Sequence, residues 1–242
     1  ASRKAFAPAL FAGDDMTEVR EYFNTEGFSR WNKLYSDSDD VNTVQRDIRT
    51  GHDQTIQKII NWIKEDGDIE GKTVCDCGCG VGSLAIPLAQ MGAKVSASDI
   101  SDAMSTEAGR RAKEMGISNA EFYTSDLESV TGKYDTVTCV DVAIHYPDDK
   151  FKEMVSHLCS LSNDRVLISF ALKPWYYVAL KKFGELVPGL TKTPRVYLDE
   201  QAVVRMVLQD GGLSVSRAEF PGRIFDRSCS VAPKRAQSKY EE

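Results

Sequence analysis

From Gly71 onward the apolar positions alternate between two periods. "KTVCDCG", "KVSASDI" and "NAEFYTSDL" have the length and β-branched or alternating pattern of strands. Between them, "SLAIPLAQMGA" and "DAMSTEAGRRAKEMG" carry apolar side chains at the spacing of one helix face. A fourth strand falls within "KYDTVTCVDVAIHY". Helical spacing returns at Phe151, Met154, Val155 and Leu158, and "DRVLISFAL" reads as a fifth, buried strand. Strands separated by helices predict βαβ units, and so an α/β fold with a doubly wound, mostly parallel sheet.

The two ends break this rhythm. Residues 14–66 hold two helical patterns, about Met16–Tyr35 and Val41–Lys64, with "SDSDD" between them as a turn and capping region. Residues 174–195, rich in aromatic and basic side chains and bounded by prolines, read as an insert. After the helical "DEQAVVRMVLQDGG", the stretches "LSVSRAEF" and "RSCSVA" read as a closing strand pair. The expected organisation is a flexible stub (1–13), an N-terminal helical arm or lid (14–70), a core (71–232) carrying the insert, and a tail (233–242).

Charge and composition narrow the function classes. A formal net charge of −6 opposes a nucleic-acid partner, which needs a basic surface. The longest apolar runs, such as "VTCVDVAI", are too short to span a membrane. The chain has 6 cysteines but is too long to need disulfide staples. Cys75, Cys139 and Cys159 sit inside apolar segments, where a thiol acts as a small hydrophobe, so a reducing compartment is expected. The first residues, "ASRKAFAPALFAGDD", are basic and poor in acids until Asp14. They read either as the remnant of an organelle transit peptide or as an arbitrary start point.

The chemistry concentrates in "VCDCGCGVGS", residues 74–83. The spacing C-x-C-x-C does not suit a zinc site, which draws on C-x₂-C pairs and a second distant pair, and no metal is expected. A dinucleotide loop would need Gly or Ala at position 83, where Ser83 stands. What the sequence spells is D-x-G-x-G-x-G: Asp76, Gly78, Gly80 and Gly82. Asp99 and Asp126 end the next two strands, on the edge where open α/β sheets bind ligands. Asp141, His145 and Tyr146 follow the fourth strand. Each aspartate alone has an ordinary reading as a helix N-cap.

The glycine loop resembles the first motif of class I S-adenosylmethionine-dependent methyltransferases, which implies a seven-stranded Rossmann-like sheet and S-adenosylmethionine as cofactor, leaving S-adenosylhomocysteine as product. In that family pattern Asp76 serves the cofactor's amino group, and Gly78, Gly80 and Gly82 let the backbone approach it. Asp99, with Ile100 alongside, accepts the ribose hydroxyls. Asp126, with Leu127, meets the adenine amine, and Asp141 lies toward the methyl-bearing end.

A more specific resemblance is carried by "YFNTEGFSRWNKLYSDSDDVNTVQRDIRTGHDQT", "GCGVGSLAIPLA", "SASDIS" and "IHYPDDK". These are similar to the magnesium protoporphyrin IX O-methyltransferases of chlorophyll biosynthesis. Cys77 departs from the alanine expected there. The resemblance implies methylation of a propionate carboxylate of Mg-protoporphyrin IX, with His145 and Tyr35 as catalytic groups that position it. Phe28, Trp31 and Tyr35 would cover the macrocycle, and Lys181, Lys182, Lys192 or Arg195 would meet the second propionate. It also implies a chloroplast location, on or near plastid membranes, and a working partnership with magnesium chelatase; a bacterial cytoplasm is the alternative location. Two other functions stay open from the residues alone: methylation of another small oxygen or nitrogen acceptor such as a phenol, and a carrier that binds porphyrin or cofactor without turnover.

Overall fold

Among the described residues five parallel strands form the central sheet, five of the seven expected. They are β1 (Thr73–Cys77), β2 (Lys94–Asp99), β3 (Ala120–Thr124), β4 (Tyr134–Cys139) and β5 (Ser162–Ile168), in the spatial order β3-β2-β1-β4-β5. The computed structural model describes residues 4–5, 15–34, 43–67, 69–146, 148–169, 197–198, 213–214 and 232–233. The helices are α1 (Asp15–Asn24), α2 (Glu26–Leu34), α3 (Thr43–Glu65), α4 (Ala85–Gln90), α5 (Asp102–Glu114) and α6 (Asp148–Leu161).

Because β1 has neighbours on both sides, its residues are buried from Val74 to Cys77, as expected of a central parallel strand. The alternation of its side chains feeds two cores. Cys75 and Cys77 point into the face covered by α6, with Phe151, Met154, Val155 and Leu158. Val74 joins the other face, where Ile56, Ile59, Ile60 and Ile63 of α3 pack with Leu88 of α4 and Ala108 of α5. Cys79 also lies in this second core, so the three clustered thiols divide between opposite faces and do not converge. Among the described residues all cysteines are free thiols. Burial pushes the Cys139 thiol well up, consistent with an inert packing role.

The strand order reverses at β1, which pairs with β2 on one side and β4 on the other. In open α/β sheets a crevice forms at such a point, outside the carboxyl ends of the strands. The register brings Asp76 beside Ala97 and Thr138, and Asp99 beside Thr124, so these strand tips share one edge.

Two expectations need adjustment. The single helix expected over Met16–Tyr35 is two helices, broken at Thr25. The Thr25 hydroxyl bonds back to the Glu21 carbonyl (2.7 Å), and its N–H donates to the Tyr22 carbonyl (3.2 Å). Gly27 then lies so close to Tyr22 that a Cβ there would be 2.5 Å from the ring, a close approach that only glycine permits. At the other end, the closing strand pair corresponds to Leu213–Ser214 running antiparallel to Ala232–Pro233. Lys4–Ala5, within the stub expected to be flexible, pairs with Tyr197–Leu198. The insert at 174–195, with its four candidate cations, lies outside the described residues, as does Tyr35.

Candidate active site at the strand tips

The site begins with a buried carboxylate. Asp76 is only 2% exposed at the end of β1. Its Oδ1 accepts the Thr138 hydroxyl (2.7 Å), while Oδ2 is buried without a partner among the described residues. Burial raises its carboxyl to about 6, the Thr138 bond working against the shift and the charge of Asp99 adding to it. A dry carboxylate oxygen that lacks a donor fits a cationic ligand group such as an ammonium.

The chain then turns through Gly78, Gly80 and Gly82, all at positive φ (81°, 53° and 86°). At Gly78 a Cβ would lie 2.0 Å from Val142 Cγ2, so the loop after β4 can close on this position only because no side chain is there. Gly80 faces open space, with nothing within 4 Å of a built Cβ. Its N–H donates to Asp99 Oδ2 (2.9 Å), and Ser101 N–H donates to Asp99 Oδ1 (2.9 Å). Each oxygen keeps a second lone pair, so two ribose hydroxyls remain compatible with the carboxylate. Burial raises the Asp99 carboxyl, and those two backbone bonds oppose the rise. Gly82 packs instead: a Cβ there would meet Ile86 and Ala108, at the contact of α4 with α5. Ile100 is partly exposed at the bend after β2, whereas the Leu127 side chain is buried in the α6-side core.

The tip of β4 carries a third acid. Asp141 has a φ of 60°, the sole positive value outside glycine among the described residues. Its N–H donates to Ser169 Oγ (2.7 Å), and that hydroxyl donates to Asp141 Oδ1 (2.9 Å). The other oxygen, Oδ2, lies 2.8 Å from Nδ1 of His52 on α3. Partial desolvation of this half-exposed side chain would raise the Asp141 carboxyl. The bonds from His52 and Ser169 outweigh it and hold the carboxyl below its ordinary value. Because the acceptor is ionised, Nδ1 of His52 is the nitrogen that carries the proton.

His145 ends a single 3₁₀ turn after β4 and is 9% exposed. Its ring meets Phe23 of α1 edge-on, with centroids 5.7 Å apart. Tyr146, which the sequence offers alongside it, is buried in the α6-side core, and burial pushes its phenol well above the ordinary range. It is packing, not chemistry.

Helix α1 lies across these tips. Arg20 pairs with Asp126, Phe23 reaches His145, and Asn24 accepts from Ala103 N–H (3.3 Å). The Ser101 hydroxyl caps α5 by accepting from Met104 N–H (3.2 Å). It donates back to α1, with the Phe23 carbonyl at 3.0 Å and the Asn24 amide oxygen at 2.9 Å. Farther along, Arg111 of α5 donates to Asn32 of α2 (2.6 Å).

The structure thus gathers Asp76, Gly78, Gly80, Asp99, Asp126, Asp141 and His145 at one edge of the sheet. Sequence reasoning missed His52, Ser169 and Arg20. For His52 a signal existed: it shares a helical stripe with Ile56, Ile59 and Ile63, where a polar ring stands out.

A parallel sheet in this order, with a glycine loop after its central strand and acids on the neighbouring tips, defines a Rossmann-like class I S-adenosylmethionine-dependent methyltransferase. Residues 74–164 match the family model described as "Methyltransferase domain", and residues 139–232 match "Magnesium-protoporphyrin IX methyltransferase C-terminus". The chain is 51% identical to the chloroplastic magnesium protoporphyrin IX methyltransferase of Arabidopsis thaliana, over 85% of this chain and 66% of that protein. It is 50% identical to the magnesium-protoporphyrin O-methyltransferase of a Synechocystis species, over 88% of this chain and 93% of that one. The crystal structure of magnesium protoporphyrin IX methyltransferase from Synechocystis with bound S-adenosylhomocysteine superposes with a TM-score of 0.81 at 46% identity, covering 89% of this chain and 97% of the other. The chain belongs to the magnesium protoporphyrin IX methyltransferase family.

Proposed function

We propose that this chain methylates a propionate carboxylate of Mg-protoporphyrin IX, giving the monomethyl ester. The observation that carries the cofactor half is the unpartnered buried oxygen of Asp76, at the start of a glycine loop whose Gly80 faces open space. The acceptor half is supported by the names of relatives that are half identical over most of the chain. S-adenosylmethionine, when bound, supplies an electrophilic methyl group on a sulfonium. Asp76 would take its ammonium, Asp99 its ribose hydroxyls, and Asp126 its adenine amine through the oxygen that Arg20 leaves free. Asp141 faces the methyl-bearing end.

Little proton chemistry is needed. A propionate titrates near a glutamate, at a pKa of about 4, and is already ionised at neutral pH. The protein's task is to align that carboxylate, exclude water and hold it still, effects worth on the order of 7–11 kcal/mol in the best intramolecular cases. His145 is suited to donating a hydrogen bond to the acceptor, with Tyr35 as a second hydroxyl. Residues 14–70 act as the covering arm, α1 screening the crevice from solvent.

The reading extends to a chloroplast setting, supported by the chloroplastic Arabidopsis relative, and to receiving substrate from magnesium chelatase. Among the described residues no helix is long and apolar enough to cross a membrane. The test is to incubate the protein with S-adenosylmethionine and Mg-protoporphyrin IX and follow the porphyrin by mass. Gain of a single methyl group is expected. An unmodified porphyrin in the presence of bound cofactor would overturn the acceptor.

A further inference from the structure

Of the three N-terminal helices, α3 is the one whose apolar stripe is sunk in the core, and His52 stands at the start of that stripe. Its side chain is 10% exposed, on a helix anchored by Ile56, Ile59, Ile60 and Ile63, so its ring has little freedom to move. What it touches is unusual. Asp141 holds a left-handed backbone conformation that costs a side-chain-bearing residue free energy and persists where the surroundings enforce it. Here they do, from two sides. Ser169, at the tip of β5, binds both the Asp141 N–H and one carboxylate oxygen, and Ser169 N–H is itself tied to the Cys139 carbonyl (3.0 Å). His52 holds the other oxygen.

The Asp141 side chain nonetheless remains 45% exposed, at the tip of the strand that pairs with the Asp76 strand. A surface carboxylate would not need a buried imidazole and a buried hydroxyl to fix it. Two anchors on a strained residue describe a group whose direction matters.

We propose that His52 is a positioning residue for methyl transfer: its Nδ1–H fixes the Asp141 carboxylate toward the positively charged end of the bound cofactor. This rests on the S-adenosylmethionine reading of the crevice and is independent of which acceptor is methylated. It gives α3 a role distinct from that of α1. The first helix covers the site, whereas the third sets the direction of one of its charges.

The test is a double-mutant cycle on equilibrium binding of S-adenosylmethionine without acceptor, by calorimetry on the full chain, with melting curves to confirm folding. His52→Leu is expected to weaken binding about tenfold, as is Asp141→Asn, a residue that tolerates positive φ. The double variant should bind no more weakly than the weaker single, because both changes break the same arrangement. His52→Asn, whose amide nitrogen can take the place of Nδ1, should stay within about threefold of wild type. His52→Gln keeps polarity and bulk but sends its amide toward the Nε2 position, and should behave like His52→Leu. It serves as the second variant if the leucine disturbs folding. In turnover, His52→Leu should lower kcat about tenfold with KM for the porphyrin unchanged.

Wild-type binding by His52→Leu, losses that multiply to about a hundredfold in the double variant, or no rescue by asparagine would each overturn the role. A wild-type protein that shows the coupling but leaves the porphyrin unmethylated would overturn only the acceptor. A wild-type protein that does not bind S-adenosylmethionine would remove the cofactor reading and this role together.

Discussion

Arg20 of α1 pairs with the carboxylate of Asp126 at the tip of β3, so the helix across the crevice is fastened to one of the acids it covers. Both side chains are nearly half exposed, and such pairs contribute about 1 kcal/mol or less, diminishing with salt. Arg20→Ala should therefore leave the melting temperature within about 2 °C of wild type. Its effect should appear in kinetics: S-adenosylhomocysteine should leave several times faster at low ionic strength, with the difference fading in about 0.5 M salt. Stopped-flow displacement would read this, and an unchanged dissociation rate at low salt would separate the latch from cofactor retention.

Asp76 makes a prediction about stability and pH. Burial places its carboxyl at about 6 in the folded protein against an ordinary 3.8. Between those values the folded state binds a proton that the unfolded chain has released. The group's contribution is therefore full below about pH 4 and is lost as pH rises through 6, a change on the order of 3 kcal/mol. Asp76→Asn, free of this penalty, should melt about 5 °C higher than wild type at pH 8 without ligand, the gap narrowing at pH 5. It should also lose most affinity for S-adenosylhomocysteine. Because a cationic ligand requires the ionised acid, wild-type affinity should fall as pH drops below 6, by up to about tenfold per unit. A pH-independent affinity would argue against Asp76 as the ammonium partner.

Two glycines of one loop should fail differently. At Gly80 an added methyl meets no protein atom, and a φ of 53° lies where ordinary residues can go at a cost of about 1 kcal/mol. Gly80→Ala should fold and melt within a few degrees of wild type, yet bind S-adenosylhomocysteine at least tenfold more weakly. At Gly78 the methyl would collide with Val142, and Gly78→Ala should lose both stability and binding. Paired melts and calorimetry decide it; normal binding by Gly80→Ala would remove that face from the cofactor seat.

His145→Ala distinguishes holding a carboxylate from abstracting a proton. An acceptor already ionised at neutral pH predicts a loss of about 10- to 100-fold in kcat/KM with the shape of the pH profile retained. A profile that gains or loses a limb would assign His145 to base catalysis and favour a phenolic acceptor with a pKa of about 10.

Strand and helix order were legible because burial on both faces of a parallel sheet writes itself as short apolar runs, as in β1 and β5. Asp76 and Asp99 were legible because the glycine spacing marks the tip of β1 and strand length then marks the tip of β2. The break at Thr25 was not, since it depends on a hydroxyl bonding back one turn and on the Tyr22 ring lying over Gly27, neither of which changes the helical period. The partners of His52, Ser169 and Arg20 were hidden for a simpler reason, although the apolar stripe marks His52 itself. Each meets its carboxylate across 28 or more residues of chain, and no local pattern encodes a partner so distant. The side chain of Leu127 turns into the core, a direction that its place after Asp126 does not encode.

The strand-tip acids are tied inward as well as facing outward: Asp76 to Thr138, Asp99 to the glycine loop, Asp141 to Ser169. Each is part of the frame, so a lineage exploring new acceptors could not easily alter them without loosening neighbouring strands. Of the covering helices, α3 shares that obligation through His52, whereas the ties of α1 to Asp126 and Ala103 are polar contacts open to solvent. Evolution of acceptor choice in this scaffold would therefore be written in α1 and leave the donor seat, α3 included, as inherited.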